Sequence, residues 1–343
     1  MTMPRQAPPQ RASRLGLYGP FIVVAMALTL WTGGWWWMKA KAEQALDGIA
    51  AQRQAAGGAF TWRARRIYGY PFRLDVDLDG VAWREPTGWA VAAPSLKTEA
   101  SVFAPGHWVA FAPDGAVLVR PEGGPVRVTA KVLRASISDP AAYPPTFSFE
   151  GLGLVFAAAP GSAPYFLNAA AEAHLHTRAG PADEGAFLFE LDRATPAPQS
   201  VLGRIAGGEA VTLVADVIYS RASSLAGPSW ARAVDTWVAA GGQMQVRRLR
   251  LVAGDTAVDA QGAGLTASGD GRLEGALDAT VAHSDRILGA LAASGSIDPG
   301  VARIAISVLQ AGHVGTRDHA TLTFQAGRTT VGPVALGAAP KVY

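Results

Sequence analysis

The sequence predicts a mainly β chain of the α+β class. A single N-terminal transmembrane helix leads into a large antiparallel β-rich domain, with helices concentrated in its C-terminal part. Three observations predict this. Leu15 to Met38 is a run of 24 residues without a charge. From Phe60 to Ile218 short apolar runs recur between turn clusters rich in Gly and Pro, as antiparallel strands do. Beyond Pro228 helical periodicity appears in three places among further strands.

The uncharged run sets the organisation: a basic tail over 1–14, a membrane helix over 15–38, a helical stalk over 39–58, a β-rich part over 59–220 and an α+β part over 221–343. As a helix, Leu15–Met38 rises about 36 Å, enough to cross a hydrocarbon core about 30 Å thick. The tail holds Arg5, Arg11 and Arg14 and no acid, so it stays in the cytoplasm and the rest of the chain lies across the membrane. Tyr18 and Trp35-Trp36-Trp37 stand at the two ends of the run, where amphipathic rings favour the membrane boundary. Ala40-Lys41-Ala42 has the small-x-small form of a cleavage site, which makes a cleaved signal peptide the alternative. Signal cores run to about 7–15 apolar residues, so the length of this run favours a retained anchor.

The net charge of +3 is misleading. Three of the 30 Lys and Arg lie in the tail and none of the 27 Asp and Glu do, which leaves 27 of each sign beyond the anchor. A neutral domain gathers no phosphates, so nucleic acid is excluded as a partner. The chain has no cysteine, so burial stabilises its core, and thiolate metal sites and Cys nucleophiles are excluded.

In order along the chain, Lys39–Ala56 is Ala-rich, with Leu46, Ile49, Ala50 and Arg53 at helical spacing, and Gly57-Gly58 stops it. Phe72 to Asp79 alternates strictly between apolar and charged residues, the pattern of a strand with one dry and one wet face. Gly80 is expected to close that strand and Val81-Ala82-Trp83 to begin another. Further strands are expected at Trp89–Ala93, Leu96–Val102, Trp108–Phe111, Ala116–Arg120, Val126–Ile137, Phe147–Phe156, Ala173–Arg178, Ala186–Arg193 and Val211–Ile218. Ser229 caps a helix through Ala240 with Trp230, Val234, Trp237 and Val238 on one face. In the strand from Met244 the apolar parity slips between Val246 and Leu249, which predicts a bulge near Arg247-Arg248. Gly269-Asp270-Gly271 turns a hairpin, Ser284 caps a helix through Ala293, Pro299 opens one through Gln310, and Ala320–Leu336 forms a closing hairpin.

Arg66-Ile67-Tyr68-Gly69-Tyr70-Pro71-Phe72-Arg73-Leu74 resembles the GFPFR-type signature of a bacterial inner-membrane-anchored family known only as domain of unknown function 2125. Val132–Ser136, the segment Trp237–Gly242 leading to Val246, and Gly332–Gly337 agree in order. The resemblance covers nearly the whole chain. It implies a Gram-negative envelope protein facing the periplasm and brings no catalytic residues. Asp255–Val281 resembles, more loosely, the C-terminal segments of AsmA-type envelope proteins, a likeness that implies guiding lipids along a β groove.

Read by its own chemistry, the signature run is a structural corner. Gly69 permits conformations that other residues avoid. Pro71 fixes its own φ and extends Tyr70. Phe72 is expected to begin the buried face, with Arg73 opposite and able to pair with Asp75 or a carboxylate on a neighbouring strand. Trp83, Trp89 and Trp108 are candidates for an exposed interaction patch.

Asp75, Asp77 and Asp79 mimic the opening of a calcium loop, but Pro86 stands where a bidentate Glu is required. His174 and His176 share a strand face and lack a third ligand, with His313 and His319 the distant candidates. A solvated strand face accounts for both sets. The sequence has no Gly-x-Ser-x-Gly elbow, no Walker loop and no His-Glu-x-x-His, so catalysis and cofactors are not expected. Runs apolar on both faces, such as Val211–Val214 and Val301–Leu309, belong to a core or to the lining of an apolar groove. The expected role is binding or handling an envelope lipid or other hydrophobic ligand. The alternative is a scaffold that binds other envelope proteins.

Overall fold

The computed structural model describes residues 15–140, 142, 144–311, 313–314 and 317–343; the basic tail lies outside them. Helix α1 (Leu15–Ala55) runs without a break through the expected membrane segment and stalk. It is long and apolar enough to cross a membrane, as either an anchor or a signal sequence would be. Phe21 to Trp31 is exposed throughout, while Trp35 is only 6 % exposed.

The strands that follow are β1 (Ala59–Thr61), β2 (Ala64–Tyr68), β3 (Arg73–Arg84), β4 (Ala90–Ser101), β5 (Ala104–Phe111), β6 (Ala116–Arg120), β7 (Gly124–Thr129), β8 (Val132–Ser138) and β9 (Thr146–Ala158). β3 pairs with β2 and β4, and its far end with β1. β4 then serves two neighbours, β5 through Lys97–Ser101 and β6 through Ala90–Ala92. Pro94, which has no N–H to donate, sits between the two stretches. β9 likewise pairs with both β8 and β7, and β5–β8 and β6–β7 complete the circuit. Six strands therefore close a ring in the order β4–β5–β8–β9–β7–β6, which leaves no free edge there.

From β9 the sheet continues as an antiparallel meander through β10 (Leu167–Ala179), β11 (Gly185–Pro196), β12 (Val211–Tyr219), β13 (Met244–Ala253), β14 (Thr256–Ala267) and β15 (Leu273–Ala282). Its last members are β16 (His313–Val314), β17 (Arg317–Gln325), β18 (Arg328–Val331) and β19 (Val334–Ala338). Four helices interrupt the meander: α2 (Val201–Ala206), α3 (Trp230–Ala239), α4 (Ser284–Ala293) and α5 (Pro299–Ala311).

Several expectations hold. Ser229 caps α3 by accepting from the Arg232 N–H. The bulge falls at Arg247-Arg248: Asp216 faces Arg248 and Val217 faces Val246. Others need correction. Gly80 does not end a strand. At φ +59° it lets β3 continue while the buried side switches from Leu74, Val76 and Leu78 to Val81. The two strands expected over 89–102 are one, β4, and the one expected over 126–137 is two. α2 was not expected; Ser200 caps it by accepting from the Gly203 N–H at 3.0 Å. Ser284 is not a cap: it is the first residue of α4, and its hydroxyl donates instead to the carboxylate of Asp318, both buried. The closing hairpin is three strands, because Gly332-Pro333 turns the chain once more.

Register partners cross the sheet in rows, and the rows separate two faces. Leu74, Ala100, Trp108, Ile137 and Phe147 are consecutive partners, continuing through Thr177, Phe187 and Val217. On the opposite face Arg134, Glu150, His174 and Glu190 are consecutive partners. Trp35, Ala42 and Leu46 of α1 cover one end of the apolar face, packing on Ile67, Leu74, Val76, Leu78 and Val81. At the other end α2 and α4 cover Leu154, Ala173, Leu191 and Val211, and α5 packs on β18 and β19. Between these ends Ile137, Phe147, Leu175, Phe187 and Val217 are only half-buried.

Candidate functional site

The signature run forms the corner between β2 and β3. Gly69 holds φ +104°, and a Cβ there would lie 2.8 Å from the carbonyl oxygen of Arg73. The Arg73 N–H donates to the Gly69 carbonyl at 2.9 Å and closes the turn, with a cis Tyr70–Pro71 bond inside it. The corner docks on α1. Trp31 Nε1 donates to the Pro71 carbonyl at 3.0 Å, and Trp35 Nε1 donates to the Arg73 carbonyl at 2.9 Å. The hydroxyls of Thr32 and Tyr70 meet at 2.9 Å. Positions 31 and 35 are one helical turn apart and so share a face.

Rings fill the joint. Trp35 and Tyr70 meet edge to face with centroids 5.7 Å apart. Trp31 lies 6.3 Å from Phe72 and 5.6 Å from Phe103, which sits in the turn between β4 and β5. The Val102 N–H donates to the Phe72 carbonyl at 3.1 Å and ties that turn to the corner. Between helix and corner is an open cleft of about 380 Å³, lined by Ala27, Leu30, Trp31, Gly34, Trp35, Pro71 and Val102. Its lining carries no charge, so it suits a hydrocarbon chain and offers no acid–base pair or nucleophile.

Phe72 does not begin the buried face as expected. It is 59 % exposed, and the first buried residue of β3 is Leu74. The parity holds, but Phe72 stands beyond the strand, beside Trp31. Arg73 behaves as expected and does both things at once: it bonds Asp75 through Nε and Nη2 and reaches Glu99 on β4. The bond to Asp75, and then the charges of Asp75 and Glu99, push the Arg73 guanidinium above its ordinary range. Asp75 is buried, not on a wet face, because Arg73 and the folded-back Gly69 cover it.

The three Trp candidates fare differently. Trp83 is half-buried, with the Arg53 guanidinium 3.9 Å above its ring and its Nε1 donating to Glu85 at 3.0 Å. Trp108 is half-buried against the core cluster under α1. Of the three, only Trp89 stands exposed. His174 and His176 have separate partners, Glu172 at 3.3 Å and Ser148 at 3.0 Å. His319 sits on β17 opposite Thr280, and the His313 side chain lies outside the described residues. Asp77 accepts from Tyr68. Among the described residues no group of three or more His, Cys, Asp or Glu is placed to hold a metal ion.

A second open cleft, about 730 Å³, has Arg248, Asp259, Gln261, Asp278, His319 and Thr321 in its lining. Two of its acids are engaged within the sheet: Asp259 accepts from Arg317 at 2.8 Å and Asp278 accepts from Thr321 at 2.8 Å. The junction of α1 with the corner is therefore the stronger site. Sequence reasoning found Tyr70, Pro71 and Phe72 there but missed Thr32, Val102 and Phe103, which no local pattern marks.

One family model matches the chain, over residues 35–340; its description reads "Uncharacterized protein conserved in bacteria (DUF2125)". No curated protein and no solved structure matches.

Proposed function

Because the chain belongs to this uncharacterized bacterial family, we propose its function from geometry: a protein anchored in the bacterial inner membrane that binds or handles an envelope lipid. In this reading α1 is retained, the N-terminus is cytoplasmic and the β-rich domain lies in the periplasm. The observation that carries it is the apolar cleft between α1 and Pro71, set against the most exposed apolar stretch of the helix. An acyl chain entering there from the bilayer meets only hydrocarbon and indole. From the same joint the apolar sheet face leads through Leu74, Ala100 and Trp108 to the half-buried Ile137 and Phe147.

Retention of α1 has its own support. Trp35 is a core residue, and cleavage after Ala42 would remove it from the cluster it shares with Leu74 and Val76. The role is binding, not catalysis. The scaffold alternative is less well supported, since Trp83 and Trp108 are engaged in internal contacts.

The test is native mass spectrometry of the full chain released from bacterial membranes in mild detergent. Wild type is expected to retain a mass that fragments as a phospholipid. A Cβ at Gly34 meets nothing within 4 Å, so Gly34→Leu fills the cleft and is expected to release that lipid while the chain stays in the membrane. Equal retention by both proteins, or a bare wild-type mass, overturns the lipid reading. A co-purifying protein in place of the lipid favours the scaffold.

A further inference from the structure

The turn between β4 and β5 and the signature corner sit beside the wrong part of α1 for a domain wholly in water. Lys39 is the first charge after the tail, and Lys39 and Lys41 lie over the rings of Trp36 and Trp37 at 4.9 and 5.9 Å. This is the pattern of a membrane boundary. Trp31, which touches Phe72 and Phe103, comes eight residues before Lys39, about 12 Å deeper along the helix. The headgroup zone on one side of a bilayer is only roughly 6 Å deep.

We propose that Phe72 and Phe103 are inserted into the outer leaflet of the membrane that α1 crosses, as a second anchoring point for the β-rich domain. The two side chains are 59 % and 71 % exposed. They lie nearly parallel with centroids 6.4 Å apart, and both meet the ring of Trp31, which is exposed on α1 beside Leu30. What covers that stretch of α1 therefore covers them, and its chemistry is lipid. Polar groups beside the two rings are paired within the protein: Trp31 Nε1 on Pro71, the Tyr70 hydroxyl on Thr32, the Val102 N–H on Phe72, and the Arg73 guanidinium on Asp75 and Glu99. Unpaired, each would be costly in hydrocarbon. The turn between β3 and β4 lies at the other end of α1. Arg53 bonds Glu85 at 2.7 Å near the last turn of α1, about 33 Å along the helix from Trp31. β3 is thereby held along α1, with its corner in the leaflet and the turn carrying Trp89 in water.

The inference rests on α1 being a membrane anchor, and the test separates the two. The chain has no cysteine, so single variants accept one environment-sensitive nitrobenzoxadiazole label each. Phe103→Cys, Phe72→Cys, Leu30→Cys and Trp89→Cys full chains are labelled and placed in phosphatidylethanolamine–phosphatidylglycerol vesicles containing lipids with acyl-chain nitroxides. The expected result is blue-shifted, quenched emission at 103, 72 and 30, and neither change at 89. Quenching at 30 without quenching at 103 and 72 overturns the inference and leaves the anchor standing. No quenching at 30 overturns both. Quenching at 89 equal to that at 103 also overturns it, since the domain then lies flat on the bilayer.

Discussion

The indole N–H of Trp35 donates to the backbone carbonyl of Arg73 at 2.9 Å, and the same ring is buried among Leu74, Val76 and Leu78. One side chain thus joins the apolar helix to the first residue of β3. Trp35→Phe removes the hydrogen bond and keeps most of the volume, at an expected cost of about 1 kcal/mol. Trp35→Ala also leaves a cavity, at about 3–5 kcal/mol. Denaturant unfolding of the full chain in mild detergent measures both. Equal midpoints for Trp35→Ala and wild type would mean that the helix does not pack on the sheet.

Two glycines should rank differently on replacement. At Gly69 a methyl group meets both a positive φ and the Arg73 carbonyl at 2.8 Å, whereas at Gly80 the nearest atom is 3.4 Å away and only φ is unfavourable. Gly69→Ala is expected to cost about 2–3 kcal/mol and Gly80→Ala about 1 kcal/mol. Thermal unfolding of the two variants side by side checks the order.

The hydroxyl of Ser284 reaches the Asp318 carboxylate at the start of α4, and the two residues are 3 % and 5 % exposed. Ser284→Ala is expected to lose about 1 kcal/mol, as for a buried hydrogen bond. Ser284→Thr keeps the donor and should lose less. Hydrogen exchange in α4 reads the effect locally.

Burial raises the phenol pKa values of Tyr165 and Tyr219 above the ordinary 10.0; at Tyr165 the charge of Arg120 opposes part of the shift. Below that ordinary value both rings are neutral in either state and their contribution to stability is complete. As pH rises through it, the unfolded chain releases these protons first, so stability falls until the folded-state phenols ionise as well. Unfolding free energy is therefore expected to decline on the alkaline side of about pH 10, and the Tyr165→Phe, Tyr219→Phe double variant to decline less steeply. Identical slopes for the two proteins would refute the assignment.

Periodicity was readable wherever the chain has one wet and one dry side. The alternation through Leu74, Val76 and Leu78, the parity slip at Arg247-Arg248 and the Ser229 cap all come from residues within a few positions of each other. Strand limits were less readable, because the cue was ambiguous. Gly80 looks like a stop but serves as a change of face, and the four residues from Val128 to Lys131 look like strand but contain the break between β7 and β8.

The sequence by itself determined the apolar helix, the antiparallel β class, the neutral charge of the domain and the corner at Gly69–Arg73. Each follows from local chemistry: an uncharged run, period-two alternation, a count of charges, and a glycine beside a proline. The tertiary structure alone decided that Trp31 and Trp35 dock on that corner and that Phe103 joins them from the next turn. It also closed six strands into a ring. The contacts of Trp31 and Trp35 link residues about 40 to 70 positions apart. Pairings at that range are chosen by how whole faces fit and which polar groups they satisfy together, and no local pattern encodes that choice.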